Sequence, residues 1–239
     1  MRTRPALTFL LTLLLAVIIC PGTSWGHRED YIDETLVYLT LGRHEFEPEY
    51  WFDYGRQRDM HTDFMRHHVA TEFGITEHWM VDGRATMFKP DDNGLHFDSA
   101  RFETRYRFAD EGTYPVDIAV SAEMNMERDD NGDDRYGIEP RLILSRDFGE
   151  LNLTLNLSEE FPINSGAPEF LIASGFRYDV TQLFRFGSEF KYSPQQHEAA
   201  VIPQVWFAFP HDITLKFGYS HGFDRDREDF FRCTLELGF

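Results

Sequence analysis

Three observations predict an all-β fold, an antiparallel transmembrane β-barrel of about 12 strands. Apolar and polar residues alternate with period two through most of the chain after residue 26, and no stretch there has the helical period. The links between candidate strands alternate short and long. The mean hydropathy is −0.43, which suits a membrane barrel because only every second residue of such a strand faces lipid.

The chain opens with Arg2 and Arg4, followed by an apolar run, Leu7 to Ile19, that is short for a membrane helix. Ser24, Trp25 and Gly26 place cleavage after Gly26, so residues 1–26 are expected to be a signal peptide. Ile19 is too bulky for the position before a lipidated Cys20. After cleavage Cys233 is the remaining thiol, which excludes an intrachain disulfide. With 23 basic and 41 acidic residues the net charge is −18. That acidity argues against nucleic acid as a partner. Residues 27–44 are expected as a periplasmic lead-in segment. Thr35–Leu41 has strand-like composition, but counting it would give an odd number of strands to a chain whose two ends share one side.

The barrel is expected over residues 45–239. Glu45–Tyr54 sets Phe46, Tyr50, Phe52 and Tyr54 against Glu45, Glu47, Glu49 and Asp53. Phe64–Gly74 and Trp79–Phe88 follow, then Leu95–Phe108, with Phe102, Thr104 and Tyr106 opposite Arg101, Arg105 and Arg107. Val116–Glu127 alternates Val116, Ile118, Val120 and Met124 with Asp117, Ser121, Glu123 and Glu127. Tyr136–Asp147, Leu151–Glu160, Glu169–Tyr178, Leu183–Tyr192, Glu198–Phe209 and Ile213–Phe223 continue the pattern. Pro48, Pro140 and Pro203 fall inside strands, where each removes a ladder hydrogen bond; bulges or shifted boundaries are the expected explanation. Aromatic residues concentrate near strand ends: Phe73, Trp79, Phe108, Tyr178, Phe184 and Phe209 on one side, Tyr54, Tyr136, Tyr192 and Phe223 on the other. Rings there meet both lipid and head groups.

The last ten residues carry Phe231, Cys233, Leu235, Leu237 and Phe239 on one face and Arg232, Thr234 and Glu236 on the other. This ending resembles the closing strand of Gram-negative outer-membrane β-barrels, the porin-like proteins. The resemblance implies an outer-membrane location, and lipid, lipopolysaccharide and the barrel-assembly machinery as partners. It also implies that Phe231, Leu235, Leu237 and Phe239 form the assembly signal.

The polar face supplies the candidate site. Glu45, Glu47, Glu49, Arg101, Arg105, Arg107, Asp117, Glu123, Glu127, Arg185 and Glu189 are expected to point into the lumen. They either line an aqueous pore or interlock into a salt-bridged filling. The first reading gives a channel for small polar solutes, cation-preferring because acidic walls concentrate cations. The second gives a non-conducting scaffold that docks a periplasmic partner through residues 27–41. A third, a lipid-modifying enzyme, stems from Ser220 and His221, which resemble in type the Ser and His of outer-membrane phospholipases. As chain neighbours they point to opposite faces. The same holds for His67 and His68, so neither pair suggests a metal site. The loop Glu127–Asp134 lacks the terminal Glu of a calcium loop, Ile138 standing in its place. No cofactor or metal motif and no catalytic residue is expected, and the chain is read as non-enzymatic.

Overall fold

Lipid offers no hydrogen-bond partners, so a sheet that spans it has to close on itself. The computed structural model describes residues 30–33, 35–57, 61–90, 94–128, 132–164, 166–223 and 228–239, and in it the sheet closes. The strands are β1 (Phe46–Gln57), β2 (Thr62–Thr76), β3 (Trp79–Pro90), β4 (His96–Arg107), β5 (Asp117–Arg128) and β6 (Asp134–Phe148). They continue as β7 (Leu151–Pro162), β8 (Glu169–Asp179), β9 (Phe184–Ser193), β10 (Glu198–Phe209), β11 (Ile213–Gly222) and β12 (Glu228–Leu237). Each pairs with the next, and β12 returns to β1, giving a closed 12-stranded barrel. The seam runs from Glu49 opposite Glu236 to Gln57 opposite Glu228. Phe46 and Phe239 extend it by exchanging backbone hydrogen bonds of 3.1 and 2.9 Å.

Alternation settles which residues meet lipid. On β5, Asp117, Ala119, Ser121, Glu123 and Asn125 are buried, while Val120, Ala122 and Met124 are exposed on the outer wall. The same phase holds on β1 and β12: Tyr50, Tyr54 and Phe231 face outward, and Glu49, Asp53 and Arg232 face inward. Trp79, Phe108 and Tyr178 on one rim and Tyr54, Tyr136 and Phe223 on the other are exposed. The apolar outer wall makes this a membrane barrel, and its ordinary orientation puts the short turns and the C-terminal end of β12 in the periplasm.

The three prolines need neither bulges nor shifted boundaries. The β10–β11 pairing runs from Val201–His221 directly to Gln204–Gly218 in unchanged register, lapsing beside Pro203. The β6–β7 pairing lapses in the same way beside Pro140. Pro48 lies just past the last β1–β12 pair. Each ring faces a gap in one ladder and leaves the other intact.

Where the sequence suggested a lead-in outside the barrel, the chain before β1 turns back into it. Tyr31, Ile32, Thr35, Leu36, Val37, Tyr38, Thr40 and Leu41 are all buried. Gly175 and Gly218, on inward positions of β8 and β11, make this possible. A Cβ on Gly175 would lie 2.6 Å from the Tyr31 ring, and one on Gly218 would lie 3.0 Å from Ile32 Cγ2. The expected signal peptide, residues 1–26, falls outside the described residues.

Lipid-facing and lumen-facing positions therefore differ sharply in their tolerance of charge. Met124→Arg, outward on β5, is expected to destabilise the barrel by about 2–4 kcal/mol, the cost of a basic side chain near the bilayer midplane. Urea unfolding in lipid vesicles measures it, and an unchanged midpoint would contradict the assignment of that face.

Candidate functional site: a plugged lumen and its outer vestibule

An extended segment inside a barrel brings backbone groups with no strand beside them, and buried backbone groups require partners. Inward side chains of the wall supply them. Ile32 N–H donates to Gln204 Oε1 at 2.8 Å. Asp33 and Thr35 N–H both donate to Glu189 at 3.0 Å. Asn156 brackets Leu36, accepting from its N–H at 2.8 Å and donating to its carbonyl at 2.9 Å. Tyr31 O–H donates to Asn152 at 3.1 Å.

Charge fixes the ends of the segment. Arg105 forks onto Asp30 at 3.0 and 2.7 Å and also donates to the carbonyls of Val37 and Leu39, both at 3.2 Å. Arg232 forks onto Asp53 of β1 at 2.6 and 2.7 Å and reaches Asp33 at 2.7 Å and the Ile32 carbonyl at 3.2 Å. Lys191 closes on Asp33 at 2.7 Å. Two apolar clusters fill the space between: Tyr31 and Val37 against Trp206, and Leu36 and Tyr38 against Ala119 and Ile143. Residues 30–41 thus form a plug bonded to β4, β7, β9, β10, β11 and β12.

Apart from Glu45, the residues expected to line a pore do sit at inward positions, but most of them meet protein. Arg105 and Glu189 hold the plug. Glu47 and Glu49 converge with Glu72, their ligand atoms within 4.8 Å of one another, and line with Asp30 and Lys216 a cavity of about 60 Å³ beneath the plug. Arg107 donates to Thr40 and to the Glu77 carbonyl at the periplasmic rim. Asp117 accepts from Gly112 N–H at 2.8 Å, and Arg185 lies 3.7 Å from Asp179. Arg101 faces Glu123 and Glu127 at 3.6 and 4.0 Å, across the strand pair where they were expected. Glu45 precedes β1 and accepts from Gly42 N–H at 2.6 Å, at the periplasmic mouth and not in the bore.

Open space lies above the plug. A cavity of about 580 Å³ occupies the loop-bearing half of the barrel, and Asp33 and Arg232 are among the residues that line it. The described lining has six basic residues, Arg66, Arg84, Arg101, Arg128, Lys191 and Arg232, against five acidic ones. The cation preference expected from overall acidity finds no support in that balance. In the wall, His68 bridges Asp53 and Thr86, both at 3.0 Å, and Arg66 pairs with Glu228 at 2.6 Å. His67 points outward to Tyr50, as the alternation requires.

The other candidate side chains are not brought together. Ser220 is buried inside, whereas His221 faces Asp229 at 3.2 Å on the outer side, so the two do not meet. Residues 129–131 of the acidic loop lie outside the described residues, and Asp134 at its end pairs with Arg128 at 2.9 Å.

No family model and no curated protein sequence matches the chain. Its fold has solved relatives. The KdgM porin in complex with disordered oligogalacturonate superposes with a TM-score of 0.59 at 8% identity, over 80% of this chain and 99% of that one. This is a porin-like outer-membrane barrel fold. The NanC porin gives 0.56 at 12% identity, over 80% of this chain and 98% of that one. Outer membrane phospholipase A from Escherichia coli gives 0.52 at 8% identity, over 93% and 96%. Identities this low carry the architecture and no side-chain role.

Sequence reasoning missed Asp30, Asp33 and Arg84 as working residues. Arg84 stood in the same alternation as the residues that were singled out. The plug had its own trace: Ala119, Ile143, Ile202 and Trp206 are apolar residues on the polar face, and all four are buried inside.

Removing one partner of a buried ion pair strands the other charge, at about 3–5 kcal/mol. Arg105→Met is therefore expected to lower stability by about that amount, since Arg105 is 3% exposed. Hydrogen exchange at the Val37 amide should speed up at the same time, because its N–H donates to the Asp30 carboxylate that Arg105 holds. The double variant with Asp30→Asn should regain part of the loss. Unchanged exchange at the Val37 amide would refute Arg105 as the anchor of the plug.

Proposed function

We propose that the barrel passes small polar solutes across the outer membrane and that passage requires residues 30–41 to leave the bore. The observation that carries this reading is the outer vestibule of about 580 Å³, a wide polar antechamber that ends on the plug. A barrel filled only for rigidity has no use for such a space. The porin fold of the relatives supports the same reading.

The scaffold alternative loses its docking element, because the segment meant to reach a periplasmic partner is buried in the lumen. The plug is also built to be removable. Its backbone is held by side-chain amides, carboxylates and guanidiniums and not by a strand ladder, so withdrawal leaves all 12 strand pairings intact. Assembly follows the reading of the last strand: Phe231, Leu235, Leu237 and Phe239 present the apolar edge recognised by the barrel-assembly machinery, beside lipid and lipopolysaccharide.

Two variants test the gate in planar bilayers. Deletion of residues 30–41 is expected to convert a barrel of low conductance into one with stable open events. Gly175→Leu, which drives a side chain into the space of the Tyr31 ring, is expected to do the same to a smaller extent. Deletion protein that folds, runs as a heat-modifiable band and stays silent would sink the channel reading.

A further inference from the structure

Asp53, His68 and Thr86 form a hydrogen-bonded line across the inner wall of β1, β2 and β3. His68 Nε2 lies 3.0 Å from Asp53 Oδ2, and its Nδ1 lies 3.0 Å from Thr86 Oγ1. The donor roles follow from the Asp53 end. Arg232 forks onto both oxygens of Asp53, at 2.6 and 2.7 Å, so Asp53 is a carboxylate that accepts. The neutral imidazole of His68 therefore carries its proton on Nε2 and presents a bare Nδ1, which accepts from the Thr86 hydroxyl. A hydroxyl on a base that a third group orients is the arrangement of an activated nucleophile.

Where this line opens sets it apart from a histidine that only ties strands together. His68 and Thr86 both line the outer vestibule of about 580 Å³. Trp51 lies opposite His68, the ring centroids 5.6 Å apart, and holds the imidazole on its face as well as at its nitrogens. The β3–β4 register shifts immediately beyond the line, between Thr86 and Met87. Such a bulge re-aims side chains and is over-represented beside active sites. Ser99, directly opposite Thr86, is a second hydroxyl in the cavity, but it donates to Asp98 at 3.3 Å. Arg84 holds the preceding inward position of β3 and lines the same cavity, its guanidinium steadied on the Trp51 ring at 3.9 Å.

We infer that Thr86 is the nucleophile and His68 the general base of an esterase site in the vestibule, with Asp53 as positioning residue and Arg84 as counter-charge to the oxyanion. Thr86 Oγ attacks the ester carbonyl carbon while its proton passes to His68 Nδ1. The tetrahedral oxyanion collapses, the bond to the alcohol oxygen breaks, and Nδ1–H delivers its proton to that oxygen. Water then attacks the acyl-threonine, giving one proton to Nδ1, and the acyl–Oγ bond breaks as Nδ1 returns the proton to Thr86. A carboxylic acid leaves, and Nε2–H stays on Asp53 throughout. Because the line faces the lumen and not the lipid, its substrate is a short acyl ester of a small polar alcohol. The site needs neither conduction nor withdrawal of the plug.

Hydrolysis of p-nitrophenyl acetate by the folded, full-length barrel in detergent tests the site. Saturable turnover above the buffer rate is expected. Thr86→Val and His68→Asn should each lower kcat/KM by at least about 100-fold, the share that base catalysis ordinarily supplies. Thr86→Ser keeps the hydroxyl and should retain turnover, and Ser220→Ala, elsewhere in the vestibule, should leave it unchanged. Asp53→Asn and Arg84→Met should act on kcat and not on KM; a change in KM alone would strip either of its role. Heat-modifiable mobility shows that each variant is folded. Diisopropyl fluorophosphate, applied to the parent barrel, gives a readout that needs no variant: peptide mass mapping should find the phosphoryl group on Thr86. No turnover by the parent barrel overturns the site, as does full turnover in Thr86→Val. A label on Ser99 or Ser220 in place of Thr86 overturns the assignment of the nucleophile.

Discussion

Every buried backbone group needs a partner, and that requirement organises this barrel twice. In the wall it is met by strand pairing, which is why the sheet closes through β1 and β12. In the bore it is met by side chains, because residues 30–41 have no strand beside them. Gln204, Glu189 and Asn156 stand where a neighbouring strand would stand, and Arg105 and Arg232 add carbonyl partners and counter-charge. Around residues 30–41 the polar face of the barrel is the complement of one peptide, and above them it lines the vestibule.

Charge placement follows from the same demand. A lumen with excess carboxylate would be costly in low dielectric, and each ion there has to be paired and hydrogen-bonded. Arg232 does so for two elements at once, joining Asp53 of the wall to Asp33 of the plug. Below the plug the acids Glu47, Glu49 and Glu72 gather; above it basic and acidic groups are nearly balanced. Net charge, a sum over the chain, conceals that division.

The strands were legible because lipid is a uniform solvent that imposes one rule on every outward residue. Val120, Met124, Leu153 and Phe231 obey it, and the phase they set places Glu123, Asn152 and Arg232 inside without further information. The interior was not legible in the same way. A polar residue such as Glu189 or Arg105 reads identically whether it meets water, an ion or a peptide. The plug itself lacked period-two regularity because its faces are satisfied by different strands at each residue. The clue lay in what the wall omits: glycine at 175 and 218, where Tyr31 and Ile32 press in.

The side-chain bonds of the plug also bear on the order of folding. Its partners lie far along the chain: 120 residues separate Leu36 from Asn156, and 199 separate Asp33 from Arg232. Contacts of such high order form late, since the intervening loop has to close first. Asn156, Glu189, Gln204 and Arg232 belong to four different strands, and they converge on one peptide only after the sheet has curled shut. The closed sheet and the docked segment thus depend on contacts of the same long range, since Glu49 of the seam is paired with Glu236.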